Sequence, residues 1–405
     1  MPDILPDQTT RTGFRRRVFY IPGYDPIHPR RYRELYRTES KAQAVISGYQ
    51  IGLKPKTVKG PYGWHVSGMI DDTAAEVDFE VLVWSDIVKV SMERGISGTY
   101  VQLARTAWAY IGSGALYRLA GLRKGPMIAA LYPIAFLLVQ LLVACLAGWG
   151  VGVVVGLLHP LLGGLAAFGV IWAMLAAFKR WDNKVLAYYL MHDYAYSAQA
   201  NGANPPELEA RMAGFRASIA EAMAGDFDEV LVVGHSSGAH LAVSILSDLI
   251  RAGLPEKRPV LSFLSLGQVV PMVSFLPEAR RLRADLHYLS ARDELTWVDV
   301  TAPGDGCAFA LCDPVAVTGV SPKDKKWPLV ISAAFSQTLS PERWKELRWR
   351  FFRLHFQYLC AFDRPGDYDY FRITAGGLTL AERYKGRVAS KSRIERAASG
   401  YRTMA

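Results

Sequence analysis

Between Lys124 and Lys179 the chain carries no Asp, Glu, Lys or Arg. A helix at a protein–water surface keeps a polar stripe, so this absence excludes ordinary surface helices over residues 125–178. Cysteine is scarce: Cys145, Cys307, Cys312 and Cys360 are all there are in 405 residues. No CxxC spacing occurs among them, which argues against a paired-cysteine zinc site. Four thiols in so long a chain are not a disulfide framework, and a reducing compartment fits them. The N-terminal stretch MPDILPDQTTRTGFRRR lacks an apolar run, which predicts no cleavable signal peptide. Zinc-finger, RNP and helix-turn-helix patterns are also missing.

What the chain has is an excess of positive charge, 47 Lys and Arg against 37 Asp and Glu, and 51% apolar residues. With no nucleic-acid motif beside it, the excess points to an anionic membrane surface and away from nucleic acid as a partner. A bilayer core about 30 Å thick is crossed by about 20 helical residues, so 125–178 suffices for two crossings. The pattern predicts helices over 127–147 and 157–178, with a turn at Gly148, Gly150, Gly152, Gly156 and His159-Pro160. Arg118, Arg123 and Lys124 precede the run, and Lys179, Arg180 and Lys184 follow it. Positive flanks stay cytoplasmic. A transmembrane hairpin with both ends in the cytoplasm follows, anchored in the inner or cell membrane, and the parts before and after it can build one domain.

Hydrophobic periodicity predicts strands over 18–21, 49–58, 62–70 and 76–84, with helices near 30–45, 85–93 (Ser85 as N-cap) and 100–119. After the hairpin it predicts helices near 181–198 and 206–224, a strand over 230–233, a helix over 239–252 and a strand over 260–266. A helix over 277–283, a strand over 286–290, a short extended piece at 297–301 and a strand over 329–333 come next. A long helix follows Ser340-Pro341, and a basic, poorly ordered tail runs from 382 to 405. Strands alternating with helices after residue 225 imply a parallel sheet covered on both faces, with the early strands as an antiparallel edge.

The chemistry concentrates in Gly234-His235-Ser236-Ser237-Gly238, a G-x-S-x-G pattern between a β-branched run and a helical one. A nucleophile on so sharp a turn needs tiny neighbours, which the two glycines supply. VVGHSSGA resembles the nucleophile elbow of the α/β-hydrolase superfamily, and YIPGYDP is similar to its oxyanion loop after an early strand. The resemblance covers approximately 15–120 and 180–375. It implies an α/β-hydrolase-like, mostly parallel sheet flanked by helices, here with an inserted two-helix transmembrane hairpin. The division is then 1–124 (oxyanion strand and loop), 125–178 (hairpin), 179–381 (nucleophile, acid and histidine) and 382–405 (tail).

The resemblance also implies the chain order Ser, acid, His. Ser236 is the nucleophile. Asp293, Glu294, Asp299 and Asp305 follow it as acids; Asp305, in a Pro-Gly-Asp-Gly turn, leads, with Asp299 as runner-up. His355 is the one histidine after Asp305 and becomes the general base. His235 and His240 flank the serine too closely, and His192 breaks the order. The oxyanion donors are the N–H groups of Ser237 and Tyr24, with Gly23 shaping the turn. The implied reaction needs no metal or organic cofactor. The expected function is a membrane-anchored serine hydrolase acting on a carboxylic ester, a lipid or other lipophilic acyl substrate, with thioester and amide left open. The competing expectation is a catalytically inactive membrane scaffold of the same fold. Oligomeric state is not legible.

Overall fold

The β-branched and aromatic runs collect into one sheet. The computed structural model describes residues 13–56, 60–182 and 185–405. In chain order its first half comprises β1 (Phe14–Ile21), α1 (Arg30–Ser47), β2 (Gln50–Pro55), β3 (Gly63–Ile70), β4 (Thr73–Val81), α2 (Ser85–Met92), α3 (Ile96–Gly112), α4 (Ala115–Ala120), α5 (Lys124–Gly156) and α6 (Pro160–Arg180). The second half comprises α7 (Ala187–Ala198), α8 (Pro206–Met223), β5 (Glu229–His235), α9 (Ser237–Arg251), β6 (Val260–Leu266), α10 (Val270–Ser274), α11 (Arg280–Ser290), β7 (Leu295–Thr301), α12 (Pro314–Thr318), β8 (Leu329–Ser332), α13 (Phe335–Thr338), α14 (Pro341–Leu347), α15 (Phe351–His355), α16 (Tyr370–Ala375) and α17 (Leu380–Arg383).

The eight strands lie in the order β2-β3-β4-β1-β5-β6-β7-β8. From β4 through β1 and β5 to β8 every neighbour is parallel, and β2 and β3 form the antiparallel edge. This is an α/β-hydrolase-like fold with a helical hairpin insert. Successive strand residues face opposite sides. Val18, Tyr20, Leu231 and Val233 enter one core with Tyr36 of α1 and Phe371 of α16. Phe19, Ile21, Val230 and Val232 enter the other with Phe215 of α8, Leu241 of α9 and Leu286 of α11. At the end of the sheet where β1 and β5 begin, fully buried Arg16 pairs with Glu229 at 2.5 Å and donates to the carbonyls of Gly376 and Leu378. The other end, where the parallel strands finish, is left for the site.

The hairpin departs from expectation in its turn. α5 runs 33 residues, through the glycines expected to break it, and α6 runs 21. Both are long and apolar enough to cross a membrane. The glycines are contact surface. A Cβ on Gly148 would lie 2.5 Å from Ile171 Cγ1, one on Gly152 would lie 2.9 Å from Ala167 Cβ, and one on Gly163 would lie 2.7 Å from Gly156 Cα. Small residues four apart let two apolar helices approach backbone to backbone. The turn is Leu157–His159, and the His159 side chain caps α6 by accepting from the Leu161 N–H.

Other elements correct the sequence reading. Residues 286–290 are helix, because Leu282, Leu286 and Leu289 share a buried face of α11 at spacings of four and three. The strand there is β7, longer than the extended piece expected at 297–301. Ser85 is the first helical residue of α2, and its N-cap position is Trp84. The long helix expected after Ser340-Pro341 is two short ones, α14 and α15. The tail is a strap. Ser390 N–H donates to Val330 O, Ile394 N–H to Leu311 O and Ala398 N–H to Val317 O, at 2.7–2.8 Å, so the main chain past α17 is tied down against the body.

Candidate active site

Ser236 stands between β5 and α9 with φ 56° and ψ −123°, a region that a side-chain-bearing residue occupies only when its surroundings hold it there. They do so by crowding. A Cβ on Gly238 would lie 2.1 Å from Ile21 O, and one on Gly234 would lie 2.8 Å from Ala239 Cα. The Ser236 N–H donates to Leu266 O of β6 at 2.9 Å. Gly23 covers the serine from the loop after β1: a Cβ there would lie 2.9 Å from Ser236 Cβ and 3.3 Å from its Oγ. Trp84 Nε1 donates to Pro22 O at 2.9 Å and the Tyr189 hydroxyl donates to Tyr24 O, which fixes the loop's course. Tyr24 and Ser237 both line the cleft around Ser236. Their N–H groups make no hydrogen bond among the described residues.

His355 ends α15 and is buried. Its Nδ1 lies 2.7 Å from Asp305 Oδ2. Asp305 is buried too, in the loop after β7, and also accepts from the Tyr358 hydroxyl at 3.0 Å and the Cys307 N–H at 2.9 Å. Burial alone would raise the Asp305 carboxyl, but the His355 imidazole, the Cys307 N–H and the Tyr358 hydroxyl outweigh it and hold it below the usual carboxylate range. An ionised Asp305 makes His355 Nδ1 the donor in this pair. Nε2 is buried with no partner among the described residues. His355 and Ser236 line the same cleft. No hydrogen bond joins Ser236 Oγ to His355.

The remaining candidates sit elsewhere. Asp299 is inside β7, fully buried, accepting from Ser265 Oγ at 2.6 Å, and burial pushes its carboxyl up to about 8. It therefore holds a proton at neutral pH. Asp293 pairs with Lys326, and Glu294 with Arg292. Burial holds three histidines neutral: His235 down to about 3, His240 and His192 down to about 4. His235 supports the site from below, donating Nε2–H to His355 O at 3.0 Å. His192 faces Gln102 Oε1 at 2.9 Å.

Several groups escaped the sequence reading. Tyr358 follows His355 by three residues, a spacing that offered a signal. Asp193 and Tyr194 line the cleft with Tyr189, from one face of α7. Cys307 brings a thiol within 4.8 Å of the Asp305 and His355 donor atoms, so these three are the residues here that could hold a metal ion. Burial and the nearby Asp305 and Asp193 carboxyls raise that thiol well above its ordinary range, and it would have to lose its proton to ligate. Compared with known proteins, the chain matches no family model, no curated protein and no solved structure.

Proposed function

We propose that this chain is a membrane-anchored serine hydrolase that cleaves a carboxylic ester of a lipophilic acyl substrate. The observation that carries the reading is the meeting in one cleft of Ser236, on a strained turn between strand and helix, with the hydrogen-bonded His355–Asp305 pair. In the proposed reaction His355 Nε2 takes the Ser236 proton while Oγ attacks the ester carbonyl carbon. Asp305 keeps the imidazole in the right tautomer and stabilises the imidazolium. The N–H groups of Tyr24 and Ser237 receive the oxyanion. His355 returns the proton to the leaving alcohol, and water releases the acyl group by the same steps. Ser236 Oγ must turn to meet Nε2, a bond that tightens when substrate is bound.

In this reading residues 125–178 serve as the anchor, and the basic flanks of the hairpin support a hydrolase body on the cytoplasmic face. A second reading, a membrane scaffold without turnover, draws on the absent Ser236–His355 hydrogen bond. A fluorophosphonate separates the two. Active protein is labelled on Ser236, and both Ser236→Ala and His355→Ala abolish the label. Folded wild-type protein that takes no label and turns over no ester establishes the scaffold.

A further inference from the structure

The chain as a whole is strongly basic, with a formal net charge of +10. The cleft differs, with one guanidinium at its edge: Arg31 lies over the Phe356 ring, 4.6 Å from its centroid. Among the described residues that line it there is no Lys or Arg, and six are aromatic: Tyr24, Tyr32, Tyr189, Tyr194, Phe352 and Phe356. Two carboxyls join them. Asp25 is committed, accepting from the Tyr32 hydroxyl at 2.7 Å and from Arg31 at 3.3 Å. Asp193 is uncommitted: it makes no hydrogen bond or ion pair among the described residues. It lies on α7 with Tyr189 and Tyr194 and lines the same cleft as His355 and Cys307.

An aromatic ring attracts a cation to its face, and several rings around one carboxylate make a site for an ammonium group. A half-buried carboxylate with no partner is costly, and a cation seated there offsets that cost. We propose that this cleft recognises a substrate carrying an ammonium group, with Asp193 as the specificity-determining anion and the tyrosines as the surrounding cage. The proposal deepens the hydrolase reading and rests on it for turnover, but the binding of a cation does not depend on it. Burial raises the Asp193 carboxyl to about 7, and a permanent positive charge beside it favours the ionised form.

Two measurements on the full-length protein in detergent test this. The first is binding of phenyltrimethylammonium, followed by calorimetry on wild type, Ser236→Ala and Asp193→Asn. Wild type and Ser236→Ala should bind alike, and Asp193→Asn at least tenfold more weakly. Equal binding by Asp193→Asn, or none by wild type, overturns the proposal. The second compares hydrolysis of butyrylcholine with that of 3,3-dimethylbutyl butyrate, its uncharged isostere. The kcat/KM ratio should exceed ten in wild type and fall to near one in Asp193→Asn. A wild-type ratio of one overturns the proposal and leaves the hydrolase standing. Cation binding without hydrolysis of either ester and without fluorophosphonate labelling removes the hydrolase and leaves the cation site. Faster acyl release from phosphatidylcholine than from phosphatidylglycerol vesicles identifies a lipid headgroup as the cation's source; a preference confined to butyrylcholine identifies a free ester.

Discussion

The Tyr358 hydroxyl is the smallest group whose removal should be felt throughout the site. It donates to Asp305 Oδ2 at 3.0 Å and accepts from the Ala302 N–H at 2.9 Å. Asp305 N–H in turn donates to Ala302 O at 2.9 Å, so one hydroxyl pins both ends of the turn that presents Asp305. Tyr358→Phe keeps the ring, fully buried against Phe335 and edge-on to His355. Only the hydroxyl goes. A hydrogen bond to a charged group contributes about 1.5–3 kcal/mol, and a buried N–H left alone costs about 1–3 kcal/mol. Together they predict a loss of about 2.5–6 kcal/mol, a large share of a typical stability of about 5–15 kcal/mol. Asp305 also loses one of its three donors, which loosens its hold on His355. If about 1.4 kcal/mol of that reaches the transition state, the rate of fluorophosphonate labelling drops about tenfold. Urea unfolding in mild detergent, followed by tryptophan fluorescence, gives the first number and labelling kinetics the second. Tyr117→Phe is the control, since Tyr117 is exposed and makes no hydrogen bond among the described residues. A loss below about 1 kcal/mol for Tyr358→Phe would refute the claim that this hydroxyl holds the acid turn.

Two further perturbations reach other parts of the molecule. Gly163→Leu should destabilise the hairpin by about 1–3 kcal/mol through overpacking, because its Cβ would meet Gly152 O at 2.6 Å, whereas Gly164→Leu meets open space and should be silent in the same thermal melt. His240 is held neutral by burial with a value near 4, against about 6.5 unfolded. Its contribution is therefore fully present above pH 6.5 and is lost as pH falls toward 4. At pH 5 the loss has reached about 2 kcal/mol, so the drop in unfolding free energy from pH 7.5 to pH 5 should be about 2 kcal/mol smaller in His240→Leu; an unchanged drop would show that His240 takes up its proton in the folded state too.

The parts of this architecture that show in the sequence are those set by neighbours along the chain. The strand into Ser236 and the helix out of it are local patterns, and two glycines mark how tightly the turn is packed. Strand order is different. β1 lies between β4 and β5, and only pairing between distant segments decides that. Leu286–Ser290 misled because a short apolar segment with β-branched or aromatic neighbours fits a strand as well as a helix; Leu282, one turn earlier, settles it. The hairpin glycines misled for another reason. In water a glycine weakens a helix, but between two apolar helices it permits close contact, and residue type alone does not say which. Tyr358 and Asp193 were missed because each acquires its meaning from side chains on other elements, the first from Asp305 and the second from the aromatic wall and His355.

The same geometry ties the hairpin to the cleft at both of its ends. At about 1.5 Å per residue, the 33 residues of α5 reach about 50 Å, well beyond a hydrocarbon core of about 30 Å. The surplus is the first turns, where Met127, Pro133 and Leu137 are buried against the body. There the helix meets the loop that carries Asp305: Arg123 donates to Ala310 O at 2.7 Å, and a Cβ on Gly125 would lie 3.1 Å from Gly306 Cα. At the other end α6 hands over to α7 through Asp182, whose carboxylate accepts the N–H groups of Tyr188 and Tyr189 at 2.9 and 3.1 Å. Tyr189, Asp193 and Tyr194 of that same α7 form one wall of the cleft. A tether attached at an arbitrary surface point would leave the acid loop and the cleft wall free of it. Here one end of the hairpin abuts the loop that carries Asp305, and the other leads directly into the helix that carries Asp193. The two ends of the hairpin therefore meet the loop that carries Asp305 and the helix that carries Asp193, which makes the hairpin part of the proposed site's construction.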